Sequence, residues 1–106
     1  MKVNEYLEET RKERHIAGIT MLDVRPRIEC VDGFSVSVQA SKYAYCRPRS
    51  NRGPYSHVEL GYPSEEVDEW MEYAETSETP TDTVYGWVPV EIVDQVLEEH
   101  GGIIND

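Results

Sequence analysis

The amino-acid sequence predicts an α+β fold with a small, mostly antiparallel sheet of about four strands and about three helices. Three observations lead to this prediction. An Asp32-Gly33 turn separates two extended segments, apolar and polar residues alternate in the second of them, and two amphipathic segments follow further along the chain. The expected order of elements is α-β-β-β-α-β-α. A length of 106 residues suits a single domain, residues 1–106.

The first half of the chain is predicted to contain one helix and three strands. Apolar residues at helical spacing predict a helix over 3–17, ended by Gly18. The two arms of a hairpin are expected over 21–31 and 34–40, and a further alternation predicts a third strand over 55–60.

A second helix is predicted over 64–75, with Ser64 as its N-cap. At α-helical spacing Trp70 and Met71 fall on the apolar side, which is expected to face the core. The opposite side presents five carboxylates in one stripe, from Glu65, Asp68, Glu69, Glu72 and Glu75.

The last two predicted elements are a short strand over 84–88 and a helix that begins near Pro89. Proline suits the first turn of a helix because its missing N–H would have no partner there. Apolar residues at helical spacing continue to about Glu99, and Gly101-Gly102 is expected to end the helix.

Charge is distributed very unevenly between the two halves. Residues 53–106 contain 14 acidic side chains and neither Lys nor Arg, whereas all ten basic residues lie in residues 1–52 beside seven acids. The halves carry +3 and −14, which together make the net charge of −11. This asymmetry indicates association with a cationic partner. Direct binding to nucleic acid or to an anionic membrane is not expected.

Compartment and cysteine chemistry are predicted from what the sequence does not contain. It has no transmembrane-length apolar run and no apolar signal-peptide core after Met1, so a cytoplasmic protein is expected. Cys30 and Cys46 are too few for the framework of a small secreted domain, and free thiols are the expectation.

No motif for catalysis is present: there is no nucleophile elbow, P-loop or dinucleotide fingerprint. The many carboxylates fall on solvated helix faces, whereas acid–base catalysis needs two carboxylates in different environments. The protein is therefore expected not to be an enzyme and to use no cofactor.

A metal site is the alternative chemistry that the residue types allow. It would use Cys30, Cys46 and His57, with Glu59 or His100 as a further ligand. Structural zinc sites have closely spaced ligand pairs, which these residues do not form, so no metal is expected.

The spacing of the acidic stripe over 64–75 is close to that of a nucleic-acid backbone. Twelve residues of α-helix are about 18 Å long. Five or six carboxylates over this length place one charge roughly every 3 to 4 Å along the helix. Phosphates along one DNA strand are about 3.4 Å apart. Such a stripe could occupy a groove that is lined with Arg and Lys.

Three segments together resemble small proteins encoded by bacteriophages and prophages: RPRIECVDGFSVSVQAS (25–41), ELGYPSEEVDEWMEYAE (59–75) and PTDTVYGWVPVEIVDQVLEEHGG (80–102). The resemblance implies a phage product that acts in the cytoplasm of a bacterial host. Small acidic phage proteins are often inhibitors of host machinery, and anti-CRISPR proteins are among them.

The sequence therefore predicts an inhibitor that binds a basic host protein, such as a CRISPR effector nuclease, and excludes its DNA. The residues expected at the contact are Glu65, Asp68, Glu69, Glu72, Glu75, Glu78 and Asp82. The alternative is a phage structural or assembly protein that forms a homodimer. In that case Arg47, Arg49 and Arg52 would meet the carboxylates of a second copy.

Overall fold

The computed structural model of the chain describes residues 1–104. Its elements in chain order are α1 (Val3–Glu9), β1 (Glu13–Ile16), β2 (Ile19–Leu22), β3 (Ile28–Glu29), β4 (Ser35–Gln39), β5 (His57–Gly61), a 3-10 helix (Asp68–Tyr73), β6 (Val84–Pro89) and α2 (Val90–Glu99). The predicted α+β class is confirmed. No helix within residues 1–104 combines the length and the apolar character that a membrane crossing requires.

The main sheet has four antiparallel strands in the order β3-β4-β5-β6, so each strand pairs with its nearest strand in sequence. The predicted alternation in β4 is confirmed, because Val36 and Val38 are buried and the polar residues between them are only partly covered. Val38 lies opposite Leu60 of β5, and Val58 lies opposite Val88 of β6. These side chains form the centre of the core.

Helices cover the buried face of this sheet. α2 contacts both β6 and the 3-10 helix, and the Val3 amide at the start of α1 donates to Asp94 Oδ1 of α2 at 2.8 Å. The predicted end of α2 at Glu99 is confirmed. Beyond it the chain turns back, and Ile104 donates its amide to Glu29 O at 2.8 Å along the edge of β3.

The predicted helix over 3–17 is wrong beyond Glu9. Residues 13–22 instead form β1 and β2, an antiparallel hairpin with Ile16 opposite Ile19. Ala17 and Gly18 make the turn with φ of 52° and 81°, the paired positive values that a tight hairpin turn requires. Gly18 therefore serves a hairpin turn and not a helix end.

The predicted strand over 21–31 is interrupted. Only its ends belong to strands, β2 and β3, which lie in different sheets. Between them Arg25 is 4% exposed. Its guanidinium donates to Leu7 O at 3.1 Å and to Ala40 O at 2.7 Å, so this segment leaves the sheet to tie α1 to the end of β4.

The predicted α-helix over 64–75 is a shorter 3-10 helix. The Ser64 hydroxyl, expected to cap the helix, accepts from the Ser35 amide at 2.9 Å and is therefore engaged with the start of β4. At the other end Ala74 bridges to Tyr85 of β6. These two attachments shorten the helical stretch, but Trp70 is fully buried and Met71 packs on the core, as predicted.

Candidate functional site

The acidic residues predicted at the contact are all exposed: Glu65, Asp68, Glu69, Glu72, Glu75, Glu78 and Asp82. Within residues 1–104 the ion pairs with Lys or Arg all lie in the first half of the chain. His100 approaches this set, with its Nε2 3.9 Å from Glu65 Oε1. The arginines of the first half therefore do not neutralise the acidic surface.

The arrangement of these carboxylates differs from the predicted stripe. A 3-10 helix turns by a third of a revolution per residue and rises about 2.0 Å, so Glu69 and Glu72 follow one ridge about 6 Å apart. Glu65 precedes the helix and Glu75 follows it. The predicted single row with a phosphate-like spacing of 3 to 4 Å, roughly, is wrong.

Three of the seven predicted residues instead line a cavity of about 310 Å³ between the 3-10 helix and the end of α2. Its carboxylates come from Glu65, Glu66, Asp68, Glu69 and Glu99. Glu66 and Glu99 were not among the predicted contact residues. Glu99 lies at the end of α2. The pKa of its carboxyl lies above the usual range, first because it shares a hydrogen bond with the Glu69 carboxyl. We call this group the acidic cavity.

His100 lines the acidic cavity and fixes the position of the end of α2. Its ring stacks on Phe34 with centroids 4.2 Å apart, and its Nδ1 lies 2.7 Å from Asp32 Oδ2. The end of α2 is therefore fixed to the turn between β3 and β4. The pKa of Asp32 is lowered, chiefly because its carboxylate accepts the Phe34 amide and also because of His100.

The remaining predicted residues do not line the acidic cavity. Glu78 and Asp82 lie in the loop that leads to β6. Glu75 borders a different depression of about 320 Å³, whose lining includes three aromatic residues. The carboxylates of this region therefore belong to at least two separate local surfaces.

The second depression is formed by Tyr45, Tyr73, Glu75 and Trp87, with Val84 and Gly86 at its base. Tyr45 and Trp87 are 44% and 42% exposed. Their rings stack with centroids 4.9 Å apart and an interplanar angle of 29°. We call this feature the aromatic cleft.

Trp87 faces outward because of a bulge in β6. Val58 pairs with Val88 and Leu60 pairs with Tyr85, so β6 takes one residue more than β5 between these pairs. Trp87 occupies this irregularity with φ of 52°, in the left-handed region where a bulky residue is strained. Backbone strain of this kind is concentrated at functional sites.

The aromatic cleft was missed by reasoning from sequence, because alternation in a regular strand puts Tyr85 and Trp87 on the same face. The structure buries Tyr85 completely and exposes Trp87. Gly86 between the two aromatic residues was the available signal, since a glycine within a strand often marks a bulge. A Cβ at Gly86 would lie 3.4 Å from Tyr45 Cβ, so the small residue allows Tyr45 to approach.

A larger cavity, about 570 Å³, lies in the first half of the chain beside α1. Its arginines are already engaged within the protein. Arg25 donates to backbone carbonyls, Arg52 pairs with Glu8 at 3.6 Å, and Arg11 pairs with Glu13. The three arginines of this cavity therefore have structural partners within the protein.

The alternative metal site is not formed. Cys30 Sγ lies 3.9 Å from Leu97 O, whereas Cys46 Sγ lies 3.2 Å from Ser41 O, and His57 Nδ1 bonds the neighbouring Ser56 hydroxyl at 2.7 Å. In the part of the chain that the structure describes, no three His, Cys, Asp or Glu residues are grouped as metal ligands.

Both cysteines are free, as predicted, and buried. Burial raises the pKa of each thiol, which disfavours the thiolate that binds metal.

The other two possible ligands are also engaged elsewhere. Glu59 Oε1 accepts the Tyr45 amide at 2.9 Å, and His100 is bonded to Asp32. They support the aromatic cleft and the acidic cavity, respectively.

Comparisons with protein-family models, with curated proteins and with solved structures find no match to this chain. The resemblance to phage proteins therefore stays a prediction, and any proposal of function depends on the surfaces described above.

Proposed function

We propose that this protein is a non-catalytic inhibitor that binds a cationic, nucleic-acid-binding surface of a host protein, such as a CRISPR effector nuclease. The single observation that supports it most is that the carboxylates of residues 65–82 are all exposed and that none of them pairs with Lys or Arg. A phage-encoded protein acting in the bacterial cytoplasm would meet such partners.

The acidic cavity favours binding through charge more than through shape. Glu69 and Glu99 both line the cavity, and Glu69 raises the pKa of the Glu99 carboxyl, first through a hydrogen bond and also through the repulsion of their like charges. An arginine or lysine placed between them would relieve their repulsion. Such a field also speeds the encounter with a cationic surface, by about 10- to 1,000-fold at low salt.

The proposal is tested by competition for DNA. A purified RNA-guided nuclease with its guide is mixed with labelled target duplex, and DNA binding is measured with increasing amounts of the protein. The protein should displace the duplex at about 50 mM salt and much less at about 200 mM salt, because ionic contacts are screened. The triple substitution Glu65→Lys, Glu69→Lys and Glu72→Lys should weaken inhibition by about tenfold or more.

The matched control reverses three exposed acids elsewhere: Glu9→Lys, Glu29→Lys and Glu98→Lys. Both triple variants change the net charge from −11 to −5. The control should inhibit nearly as well as the unmodified protein if the surface of residues 65–82 makes the contact. Equal loss in both variants, or no displacement of DNA from any nuclease of a representative panel, would contradict the proposal.

A second candidate function is self-association in a phage assembly, and the β1–β2 hairpin favours it. This hairpin forms a separate two-stranded sheet, and an isolated hairpin is only marginally stable in water. Ile16 and Ile19 are each 52% exposed on it, and Met21 is also exposed. A second copy that pairs with its edge would cover these side chains.

Sedimentation at increasing protein concentration tests this second function. A dimer should form and should be lost in the double substitution Ile16→Lys and Ile19→Lys. Val24→Lys is the control, because Val24 is 82% exposed but lies outside the hairpin. A monomer at all concentrations would exclude this candidate.

A further inference from the structure

The aromatic cleft is an exposed surface whose parts are held in place by contacts from distant segments. Trp87 donates its amide to Tyr45 O at 3.0 Å, and Tyr45 donates its own amide to Glu59 Oε1 at 2.9 Å. On the opposite side the Glu75 amide donates to Val84 O at 2.9 Å. The cleft is therefore preformed, which lowers the ordering cost of binding.

The stability of the fold does not account for the position of Trp87. The core is filled by other side chains, and Trp87 remains 42% exposed while its backbone is in the left-handed region. Exposed aromatic residues in a rigid surface are typical anchors of protein interfaces.

The charge of the cleft defines what could enter it. Glu75 is the charged residue among its lining side chains, and it belongs to the base-free half of the chain. Aromatic faces attract cations, and a carboxylate beside them adds an ionic partner. The cleft volume of about 320 Å³ suits one inserted side chain.

We infer that the aromatic cleft of Tyr45, Tyr73, Glu75 and Trp87 binds an arginine side chain of the cationic partner protein. Arginine fits better than lysine, because its planar guanidinium stacks on aromatic rings and donates to a carboxylate with two N–H groups at once. This inference rests on the proposed function in one respect, namely that the arginine belongs to the partner.

The test uses the full chain, labelled with nitrogen-15, and a small probe in place of the partner. The probe is the capped peptide Gly-Ser-Arg-Ser-Gly, and the control peptide has citrulline, which is nearly isosteric and uncharged, instead of arginine. The chain has two tryptophans, and Trp70 is fully buried, so the indole N–H resonance of Trp87 reports on the cleft. The variant Trp87→Gly identifies that resonance by its loss.

The arginine peptide should move the Trp87 resonance to saturation, together with the amide resonances of Tyr45 and Glu75. The citrulline peptide should bind about tenfold more weakly, because it lacks the charge. Trp87→Gly should abolish the shifts at Tyr45 and Glu75. Equal binding of the two peptides would overturn the inference in favour of an uncharged occupant.

Two further outcomes are decisive. A Trp87 resonance that moves with protein concentration in the absence of peptide would show that a second copy occupies the cleft, which overturns the inference. The variant Glu65→Lys, Glu69→Lys, Glu72→Lys should still bind the arginine peptide, because these residues do not line the cleft. If the unmodified protein inhibits the nuclease but shows no peptide-induced shifts, only the inference about the cleft is refuted. If it shows the shifts but does not inhibit the nuclease, only the proposed inhibitor function is refuted.

Discussion

Trp87 is bound to Tyr45 twice, through a backbone hydrogen bond of 3.0 Å and through stacked rings whose centroids are 4.9 Å apart. The left-handed backbone of Trp87 costs about 1–3 kcal/mol. Stacking of the two rings stabilises the folded protein by about 0.5–1.5 kcal/mol. The hydrogen bond contributes a further ~0.5–1.5 kcal/mol. The two contacts together are therefore about as large as the strain, and the arrangement leaves little net gain in stability.

Replacement of Trp87 tests this relationship between strain and stability. Trp87→Gly should be more stable than Trp87→Ala by about 1 kcal/mol, because only glycine adopts φ near 52° without strain. Both substitutions remove the indole, so their difference isolates the backbone. Urea denaturation measures the free energies of unfolding. An alanine variant as stable as the glycine variant would show that the strain is absent.

Gly101 is predicted to be irreplaceable in the chain reversal after α2. It has φ of 92°, and a Cβ there would lie 2.9 Å from Val31 Cβ. Gly102 has φ of 87°, but a Cβ there would meet no atom within 4 Å. Gly101→Ala should therefore lower the free energy of unfolding by about 1–2 kcal/mol more than Gly102→Ala. Equal losses in thermal unfolding would mean that Val31 moves aside.

The Glu69–Glu99 pair predicts a loss of stability as the pH rises. The pKa of Glu99 is raised above its ordinary 4.5 by its hydrogen bond with Glu69, so the folded state holds this proton more tightly than the unfolded state. The stabilisation that Glu99 contributes to the folded state is fully present below pH 4.5. It is lost as the pH rises through the pKa of Glu99 in the folded protein.

Glu99→Gln should remove this loss. Its melting temperature should exceed that of the unmodified protein at neutral pH, and the difference should vanish in acid. Added salt should reduce the gain, because the pair is exposed. Glu98→Gln, at the neighbouring exposed position, is the control and should show no such pH dependence.

Asp32 predicts the opposite pH dependence. The pKa of its carboxyl is lowered, first by the Phe34 amide and then by His100, so the folded state favours the charged form. This contribution is present above the ordinary pKa of 3.8 and is lost as the pH falls through the folded pKa. Asp32→Asn should therefore lower the melting temperature at neutral pH and have little effect in strong acid. An effect of equal size at both pH values would contradict this assignment.

Several parts of the fold could be predicted because their signals are local. The alternation of β4 and the apolar side of α2 follow from the period of strand and helix, and burial of Val38 and Val93 confirms both. The Asp32-Gly33 turn is likewise a local choice, because glycine tolerates the φ of 97° found there. In each case, neighbouring residues in sequence carry enough of the energy to decide the structure.

The error at residues 64–75 occurred where a distant contact outweighs local preference. Ser64 is a good N-cap by sequence, yet its hydroxyl accepts a hydrogen bond from the amide of Ser35 in β4. The helix begins only at Asp68 and is a 3-10 helix. The error at residues 13–17 has a local cause, because the turn at Ala17 and Gly18 pairs these residues with β2 only a few positions further along the chain. Local propensity amounts to tenths of a kcal/mol per residue, so a few tertiary hydrogen bonds override it.

The sequence alone determined the sign and exposure of the acidic half, because charged side chains without counter-charges stay in water wherever the chain folds. Only the tertiary structure decided which carboxylates meet and that Trp87 stacks on Tyr45. The reason is the register between β5 and β6. One additional residue in β6 turns Trp87 to the surface. This register is set by contacts between segments that lie far apart in the chain.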